Sequence, residues 1–307
     1  MRTLVIGIGN MTMGLAAGIY FERHRHFSLD AATPVIPSPD VAVPPIIEPS
    51  SKPVDNKLAR VGTIMRHGYP SFDSLRTFDN FVLSYDRRLR AAGWVFEHLT
   101  PDSVTYNPEI NRQKCDFFED KAIHPFFRAK NDDFKGSGYD RGHLAAAGNH
   151  RLSQAHCAQT FVLSNISPQV GRGFNRNVWN RLERYVRFRA RRSKNLWSCT
   201  GPLYLPRFEN GKKYIKYEVI GESDISVPTH FFKVILVENK DGSFELESFV
   251  IQNRAMDDNI TLEAFHVPLE SIERAAGFLI FDKVKSIKSV NEKKHIQTFL
   301  KKECQKN

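Results

Sequence analysis

Residues 139–183 read YDRGHLAAAGNHRLSQAHCAQTFVLSNISPQVGRGFNRNVWNRLE, and the most informative side chains of the chain lie in this stretch. We predict a strand or strand-like segment over Gly136–Leu144 that delivers His143, then a loop rich in asparagine and glycine. The apolar spacing that follows predicts a helix over Asn177–Arg192. Together such side chains can activate water, hold one hard metal ion and grip a phosphate group.

His143 is the candidate general base. Because its side chain titrates near neutrality, a neutral imidazole can take a proton from water that attacks phosphorus. A lone histidine is more often a buried side chain with a satisfied hydrogen bond, but Asp140 and Arg141 stand directly before this one, which favours catalysis. Arg141 can contact a phosphate through two hydrogen bonds or pair with a nearby acid. Asp140 is better suited to orienting a neighbour than to binding metal.

Asn175, Glu183 and Arg187 are spaced to lie along one face of a helix. Eight residues separate Asn175 from Glu183, slightly more than two turns, and Arg187 follows four residues later. Mg²⁺ prefers oxygen ligands and keeps most of its waters. One amide oxygen of Asn175 can therefore anchor the hydrated ion, while Glu183 accepts hydrogen bonds from its waters. Without His143, an ordinary surface ion pair would be the better explanation of Glu183 and Arg187.

Basic residues are in excess along the chain. Its 307 residues include 44 Lys and Arg against 34 Asp and Glu, a net charge of +10, and the pI is near 9.4. Such an excess raises affinity for polyanions such as nucleic acid or anionic lipid, although a solvated basic surface is an equal alternative on charge alone. The predicted helix shares in this charge through arginines at positions 181, 184, 189, 191 and 192.

Two segments precede the predicted globular domain. Residues 1–31 begin with an arginine at position 2 and are then largely apolar, with no acid in the first 21 positions. This favours a mitochondrial targeting segment that anchors the unprocessed chain in a membrane over a secretory signal. Residues 32–55 contain seven prolines and are expected to form an extended linker. We expect the domain over 56–282 and a basic tail over 283–307.

Strands outnumber helices in a mixed order, which predicts an α+β fold. Phe81–Tyr85 and Trp94–His98 have the pattern of a hairpin. Pro228–Asn239 and Ser243–Gln252 have the pattern of a second hairpin, closed by an Asp-Gly turn.

Three shorter elements complete the prediction. Thr160–Leu163 is expected to be a short apolar strand and residues 164–175 a loop, because proline and glycine interrupt them. Val267–Gly277 is expected to be a helix with a proline in its first turn and a glycine at its end.

The four cysteines, at positions 115, 157, 199 and 304, are far apart in sequence. No CxxC pair and no Cys/His cluster has zinc-binding spacing, so a structural zinc site is not expected. We predict mostly free thiols, of which Cys115 is the most interesting because it lies just upstream of the quoted stretch.

Four ordered motifs carry a family resemblance: DRGH at 140–143, LSNISPQ at 163–169, FNRNVWNRLE at 174–183 and TGPLYLP at 200–206. They resemble the DNA/RNA non-specific nuclease family, and the likeness extends over roughly Asn56 to Asp282. The resemblance implies a ββα-metal fold with a mixed or antiparallel central sheet flanked by helices. It also implies a metal-dependent endonuclease that cuts DNA and RNA with little sequence preference and leaves 5′-phosphates.

Matched by position, the resemblance assigns roles to single residues. It implies that His143 is the general base and that Asn175 binds Mg²⁺, with Mn²⁺ as a substitute. Glu183 would hold water at the metal, and Arg187 would assist at the phosphate. Asn165 matches the asparagine of the LSN motif near the site.

The resemblance also implies partners and a location. Contacts to double- and single-stranded DNA and to RNA are expected from Arg112, Lys114, Arg141, Arg172, Arg176 and Arg184. The family uses an arginine upstream of DRGH, and Arg112 and Lys114 both remain candidates for that role. Homodimers are expected, as is a mitochondrial location in the intermembrane space or at the inner membrane. Relocation to the nucleus and DNA degradation in apoptosis complete the expectation.

Three alternatives stay open at this stage. A non-catalytic nucleic-acid-binding paralogue would need only the basic surface, so the intact set of His143, Asn175 and Glu183 argues against it. A mitochondrial 5′-exonuclease relative would be expected to carry a longer helical extension after Asp282. A secreted nuclease depends on how the first 31 residues are interpreted.

Overall fold

In a computed structural model of the chain, the structure describes residues 56–284 together with 295 and 299. The predicted targeting segment 1–31, the predicted linker 32–55 and most of the predicted tail 283–307 lie outside the described residues. Among the helices of the described part, none combines the length and the apolar character needed to cross a bilayer.

The described residues form an α+β architecture with an antiparallel central sheet, as predicted. The strands β1 to β12 are Leu75–Thr77, Phe81–Asp86, Ala91–Leu99, Tyr139–His143, Ile166–Val170, Asn195–Leu203, Arg207–Glu209, Lys212–Tyr214, Val219–Ile220, Ile225–Ser226, His230–Glu238 and Phe244–Gln252. The helices α1 to α5 are Asn56–Ile64, Asn131–Phe134, Gln154–Gln159, Asn180–Ala190 and Leu269–Ala276. The central sheet has six strands in the order β1-β2-β3-β6-β11-β12, and β4 pairs with β5 in a separate two-stranded sheet.

Alternate side chains of the central sheet pack against opposite layers. On β2, Phe81 and Leu83 belong to one buried core and Val82 to the other, as the two-residue period of a strand requires. The first core also contains Leu182 and Val186 of α4. The second core is closed by side chains of α1 and α5, including Ile272. The sheet is therefore covered on both faces, and α4 lies on one of them.

The two predicted hairpins and the terminal helix are confirmed. β2 pairs with β3, and β11 pairs with β12 in unbroken antiparallel register from His230↔Gln252 to Glu238↔Phe244. The terminal helix ends at Gly277, which has φ 82° and whose N–H donates to the carbonyl oxygen of Glu273. A left-handed residue at this position is most easily glycine, which explains why the helix stops there.

Two local predictions were wrong. Thr160–Leu163 is not a strand, because residues 163–165 form a 3₁₀ turn and the segment contributes one isolated bridge, Phe118↔Val162. Part of the predicted loop is strand β5, which pairs with β4 through Arg141↔Pro168. A proline is tolerated here because the two-stranded ribbon has an open edge where no donor is needed.

The predicted helix over Asn177–Arg192 begins later as an α-helix than expected. Gly171–Trp179 forms wide π-type turns, interrupted by extended Arg172 and by Gly173 at φ 83°. The N–H of Asn180 donates to the carbonyl oxygen of Asn175, five residues earlier, and regular α-helix follows. β4, β5 and these turns leading into α4 make a β-β-α unit on one side of the central sheet.

Candidate active site

A cleft of about 630 Å³ opens where β4, the π-type turns and α4 meet. Its walls include the predicted residues His143, Arg141, Asn175, Glu183, Arg187, Arg112 and Arg176. Residues that are up to 75 positions apart in sequence therefore share one cavity (112 to 187). The polar side chains and the prevailing positive charge suit an anionic ligand.

His143 closes the inner end of the cleft from the last position of β4. Its ring stands edge-on to Phe161 with centroids 4.6 Å apart, and is tilted against Phe117 at 5.5 Å. These two aromatic neighbours fix the plane of the imidazole. The side chain is only 6% exposed, and its Nε2 has no hydrogen-bond partner within the described part of the chain. The residue lines the cleft, and this nitrogen is left without a partner.

The pKa of His143 differs from the sequence prediction, which placed it near neutrality. Burial, together with the nearby charges of Arg112 and His150, lowers the pKa of His143 to about 3. The imidazole is consequently neutral throughout the physiological pH range. It can accept a proton whenever negative charge next to it stabilises the imidazolium form.

Asn175 is held in one orientation by Asp140. The Nδ2 of Asn175 donates to Oδ2 of Asp140 at 2.9 Å, and Arg176 donates to the same carboxylate from Nε at 2.8 Å and from Nη2 at 2.6 Å. The hydrogen bond from Arg176 lowers the pKa of Asp140, and the one from Asn175 adds to it against the opposing effect of burial. An ionised carboxylate can only accept, so the amide oxygen of Asn175 is left for another ligand. This is the orienting role that the sequence predicts for Asp140.

The donor set fits a hard cation. Within residues 56–284, no three His, Cys, Asp or Glu side chains come together as a metal cluster. Side-chain oxygens in the cleft come from Asn175, Asn180, Glu183 and Asp140, and the carboxylate of Asp140 already accepts from Asn175 and Arg176. One or two protein oxygens with water in the remaining positions is the arrangement that Mg²⁺ prefers.

Arg187 is positioned by a polar network that runs behind the cleft. Its Nη1 donates to Oδ1 of Asn149 at 3.1 Å, and Asn149 donates through Nδ2 to Oε1 of Glu97 at 3.0 Å. The same Glu97 oxygen lies 2.9 Å from Nε2 of His150. A Cβ added at Gly148 would come within 2.9 Å of Nη1 of Arg187, so glycine there makes room for the guanidinium.

Opposite charges balance one another around this network. Burial raises the pKa of Glu183, and the charges of Arg187 and Lys233 only partly offset the effect. Burial would also raise the pKa of Glu97, but His150, Lys233 and Asn149 together outweigh it, so the pKa is lowered. Lys233 is itself buried and donates from Nζ to Oγ1 of Thr200.

The sequence prediction missed Asn149, Glu97 and Lys233. Asn149 stands inside the quoted stretch, in LAAAGNHR, but its partner is distant in sequence. For the other two a usable signal exists, because each is a charged residue on the inward-facing side of an apolar strand, β3 or β11.

Arg141 is also seated by residues that the sequence prediction did not include. Its guanidinium lies 4.5 Å from the centroid of the Phe117 ring, and its Nη1 donates to Oδ1 of Asn131 at 2.7 Å. Asn131 in turn donates to the carbonyl oxygen of Phe117 at 2.8 Å. The side chain is exposed, so the head group is presented at the mouth of the cleft. No sequence pattern links these three positions.

Of the residues predicted to contact nucleic acid, Lys114, Arg172 and Arg184 lie outside the cleft lining. Arg112 lines the cleft whereas Lys114 does not, which favours Arg112 as the upstream arginine. Arg172 is exposed and lies outside the cleft lining. Arg184 lines an adjoining basic cavity of about 620 Å³.

Asn165 is fully buried outside the cleft lining. Its amide accepts from the N–H of Ala145 at 2.9 Å and donates to the carbonyl oxygens of Ala145 and Thr160 at 3.0 and 2.8 Å. With these bonds Asn165 braces the backbone just after His143, so its geometry favours a structural role over contact with a substrate.

Comparison with known proteins agrees with the fold and the cleft. A family model described as DNA/RNA non-specific endonuclease matches residues 60–287. The chain is 51% identical over 243 residues to "Endonuclease G, mitochondrial" of Caenorhabditis elegans, covering 78% of this chain and 79% of that protein. It is 49% identical over 219 residues to the protein of the same name from Homo sapiens, covering 71% and 73%.

A solved structure gives the corresponding fold match. It is described as "Crystal structure of the EndoG/EndoGI complex: Mechanism of EndoG inhibition" and superposes with a TM-score of 0.75 at 52% sequence identity. The match covers 76% of this chain and 96% of that one. The predicted ββα-metal fold is thereby confirmed.

Proposed function

Because the chain belongs to the DNA/RNA non-specific endonuclease family, a family of metal-dependent nucleic-acid hydrolases, we propose that it cuts internal phosphodiester bonds of DNA and RNA in this cleft. We further propose that Mg²⁺ is the working metal, with Mn²⁺ as a substitute, that sequence preference is weak, and that products carry 5′-phosphates. The observation that carries the proposal is the buried, unpartnered Nε2 of His143 in a cleft shared with Asn175 and several arginines.

His143 takes the proton from the attacking water. Its imidazole is neutral because burial holds the pKa at about 3, so the accepting form is already present. The phosphate brings negative charge into the cleft, which favours the imidazolium as the proton arrives on the ring. Water oxygen bonds to phosphorus, and the bond from phosphorus to the 3′-oxygen breaks. The phosphate then stays on the 5′-oxygen of the downstream fragment, and the upstream fragment ends in a 3′-hydroxyl.

The other cleft residues handle charge and position. Asn175 would hold the cation through its amide oxygen, while Glu183 would accept hydrogen bonds from surrounding water. A bound divalent cation supplies positive charge at the phosphate and at the leaving oxygen. Arg141 and Arg187 contact the phosphate oxygens and share the negative charge that develops there.

The test uses the full chain and closed circular DNA, with Mg²⁺ or with EDTA. We expect wild-type protein to nick the circle only with the metal, and His143→Ala to lose roughly 100- to 10,000-fold in rate while still binding DNA. His156→Ala is the matched control, because this histidine lies outside the cleft lining and should leave the rate unchanged. Near-normal nicking by His143→Ala would defeat the proposed role of His143.

The same substrate separates the alternatives left open by the sequence. A strict exonuclease cannot act on a closed circle, so a product that appears only after linearisation would favour the exonuclease relative. Labelling the 5′ ends of the products shows which fragment keeps the phosphate. Products should accept a labelled phosphate from polynucleotide kinase only after phosphatase treatment, because the 5′ ends are already phosphorylated.

We also propose that the chain forms homodimers. The hairpin of β7 and β8 and the residue after it expose apolar side chains, Phe208 at 72% and Ile215 at 56%. An exposed apolar strip of this kind is typical of a protein–protein contact. Sedimentation of the full chain should give a dimer, and Phe208→Ser should shift it toward the monomer. A monomer at all concentrations would contradict the proposal.

The proposed location is mitochondrial, in the intermembrane space or at the inner membrane, with relocation to the nucleus for DNA degradation in apoptosis. The support is that the curated relatives are named mitochondrial endonucleases. We propose that residues 1–31 direct and anchor the chain before processing and that residues 32–55 link them to the domain. A fluorescent fusion that reaches mitochondria equally well without residues 1–31 would contradict this assignment.

A further inference from the structure

Cys115 and Cys157 form a thiol pair directly behind the cleft. Their Sγ atoms are 3.8 Å apart, and both cysteines are free, as predicted. They belong to one small buried cluster with Phe161, against which Phe117 packs. We propose that a peroxide-class oxidant joins Cys115 and Cys157 in an intramolecular disulfide, and that this cross-link slows cleavage by displacing the aromatic support of His143.

The two sulfurs can close without a change of fold. A disulfide needs its sulfurs about 2.0 Å apart, so they must approach by about 1.8 Å, a distance within reach of side-chain rotation. The segments that carry them are already tied together. The N–H of Asn111 donates to Oε1 of Gln154 at 2.9 Å, and Nε2 of Gln154 donates to the carbonyl oxygen of Asn111 at 3.0 Å.

Cys115 is the thiol that an oxidant reaches first. It is 8% exposed against 1% for Cys157, and it directly follows the exposed 3₁₀ turn Arg112–Lys114. Its Sγ lies 3.1 Å from Nε2 of Gln154. Burial, with the hydrogen bond to Cys115, raises the pKa of Cys157 to about 11, so that sulfur stays protonated until it is used.

The chemistry balances in two steps. The Cys115 sulfur attacks hydrogen peroxide, an S–O bond forms as the O–O bond breaks, and one water leaves, giving a sulfenic acid. The Cys157 sulfur then attacks the Cys115 sulfur, an S–S bond forms as the S–O bond breaks, and the hydroxyl leaves with the proton of Cys157 as a second water. Two thiols are oxidised and one peroxide is reduced to two waters.

The cross-link bears on the cleft through two aromatic rings. Phe161, in the same cluster as the two sulfurs, stands edge-on to His143 at 4.6 Å. Phe117 lies two residues after Cys115, touches His143 and supports Arg141. A displacement of about 1 Å at a catalytic group can cost on the order of 100-fold in rate. We therefore expect oxidation to lower kcat between about tenfold and 100-fold, with little change in KM.

The experiment treats the full chain with hydrogen peroxide, blocks remaining thiols and maps peptides without reduction. We expect one linked peptide joining Cys115 to Cys157, a matching loss of nicking activity, and recovery of both after dithiothreitol. Cys157→Ala and Cys115→Ser should start at wild-type activity and lose little under peroxide. Cys199→Ala is the matched control, because this cysteine is also fully buried but packs in the core on the opposite face of the sheet.

Three results would overturn the inference. The first is that both thiols remain free to alkylation after peroxide, and the second is that either of them links to Cys199 or Cys304 instead. The third is that peroxide inhibits Cys157→Ala as strongly as wild type. The wild-type peptide map stands even if a variant fails to fold. Only the effect on rate rests on the proposed function: an inactive reduced wild type would refute that function and leave the linked peptide as a separate result.

Discussion

Replacing Asp140 with alanine should weaken the response of the enzyme to Mg²⁺ while leaving every proposed catalytic group in place. Asp140 accepts a hydrogen bond from Nδ2 of Asn175 at 2.9 Å, which fixes the amide with its oxygen available to the cation. Without this acceptor the amide can rotate. Its NH₂ group would then be presented where the cation needs an oxygen.

The size of the effect follows from that one bond. A hydrogen bond to a charged group contributes about 1.5–3 kcal/mol, and about 1.4 kcal/mol corresponds to a factor of ten in an equilibrium constant. The Mg²⁺ concentration for half-maximal rate should therefore rise roughly ten- to 100-fold, the range typical when a neighbour that orients a metal ligand is removed. The ion pair of Asp140 with Arg176 adds little, because Arg176 is 69% exposed and such pairs contribute about 0–1 kcal/mol.

The assay measures nicking of circular DNA over a series of Mg²⁺ concentrations. Asp140→Ala should need the most metal, and Asp140→Asn, which keeps an acceptor, should fall between it and wild type. Arg176→Ala is the matched control, since it removes the ion pair and keeps the bond to Asn175, and its metal requirement should stay within about fivefold of wild type. A wild-type Mg²⁺ response in folded Asp140→Ala would refute the reasoning.

Three further predictions concern positioning and stability. Asn149→Ala removes the acceptor of Arg187 and should slow cleavage about tenfold, because a hydrogen bond to a charged group is lost; unchanged kinetics would mean that Arg187 needs no support. Gly142→Ala places a Cβ 2.1 Å from the Gln169 side chain and should destabilise by about 1–3 kcal/mol in urea unfolding, whereas Gly62→Ala in α1 meets nothing within 4 Å and should not. Burial lowers the pKa of His98 to about 4 from 6.5, so its stabilising contribution is present above pH 6.5 and is lost as pH falls toward 4. His98 should account for about 3 kcal/mol of the drop in the free energy of unfolding over that window, so the drop in His98→Gln should be smaller than in wild type by about that amount.

The elements that the sequence predicted well are those with a local signature. The β11–β12 hairpin alternates apolar and polar residues around an Asp-Gly turn, and α5 has its proline and glycine at the expected ends. Strand β5 has the opposite character, because Pro168 and the glycines after it are typical of a loop. Its pairing with β4 depends on the tertiary contact Arg141↔Pro168, which leaves no periodic trace. The π-type turns before α4 are likewise a consequence of packing.

The site divides in the same way. His143, Asn175, Glu183 and Arg187 could be predicted because they lie in one stretch at helix and strand spacing, and the cleft brings all four together. The contact of the Arg141 guanidinium with the Phe117 ring could not be predicted, since no sequence pattern links these two residues. The lowered pKa of His143 could not be predicted either, because it depends on how completely the surrounding side chains exclude water.

The buried charges beneath the cleft explain why its arginines can hold fixed positions. Glu97 and Lys233 are fully buried on adjacent parts of the sheet, and removing two charges from water is costly for stability. Apolar replacements of similar volume could pack there at no loss of stability, so the pair is better explained by what it positions. Glu97 holds Asn149, and Asn149 holds Arg187, so the carboxylate directs a guanidinium with which it shares no hydrogen bond. His150, with Lys233 and Asn149, outweighs burial and keeps the pKa of Glu97 lowered in this interior. A charged strand residue under an arginine-lined cleft is thus the second layer of the site.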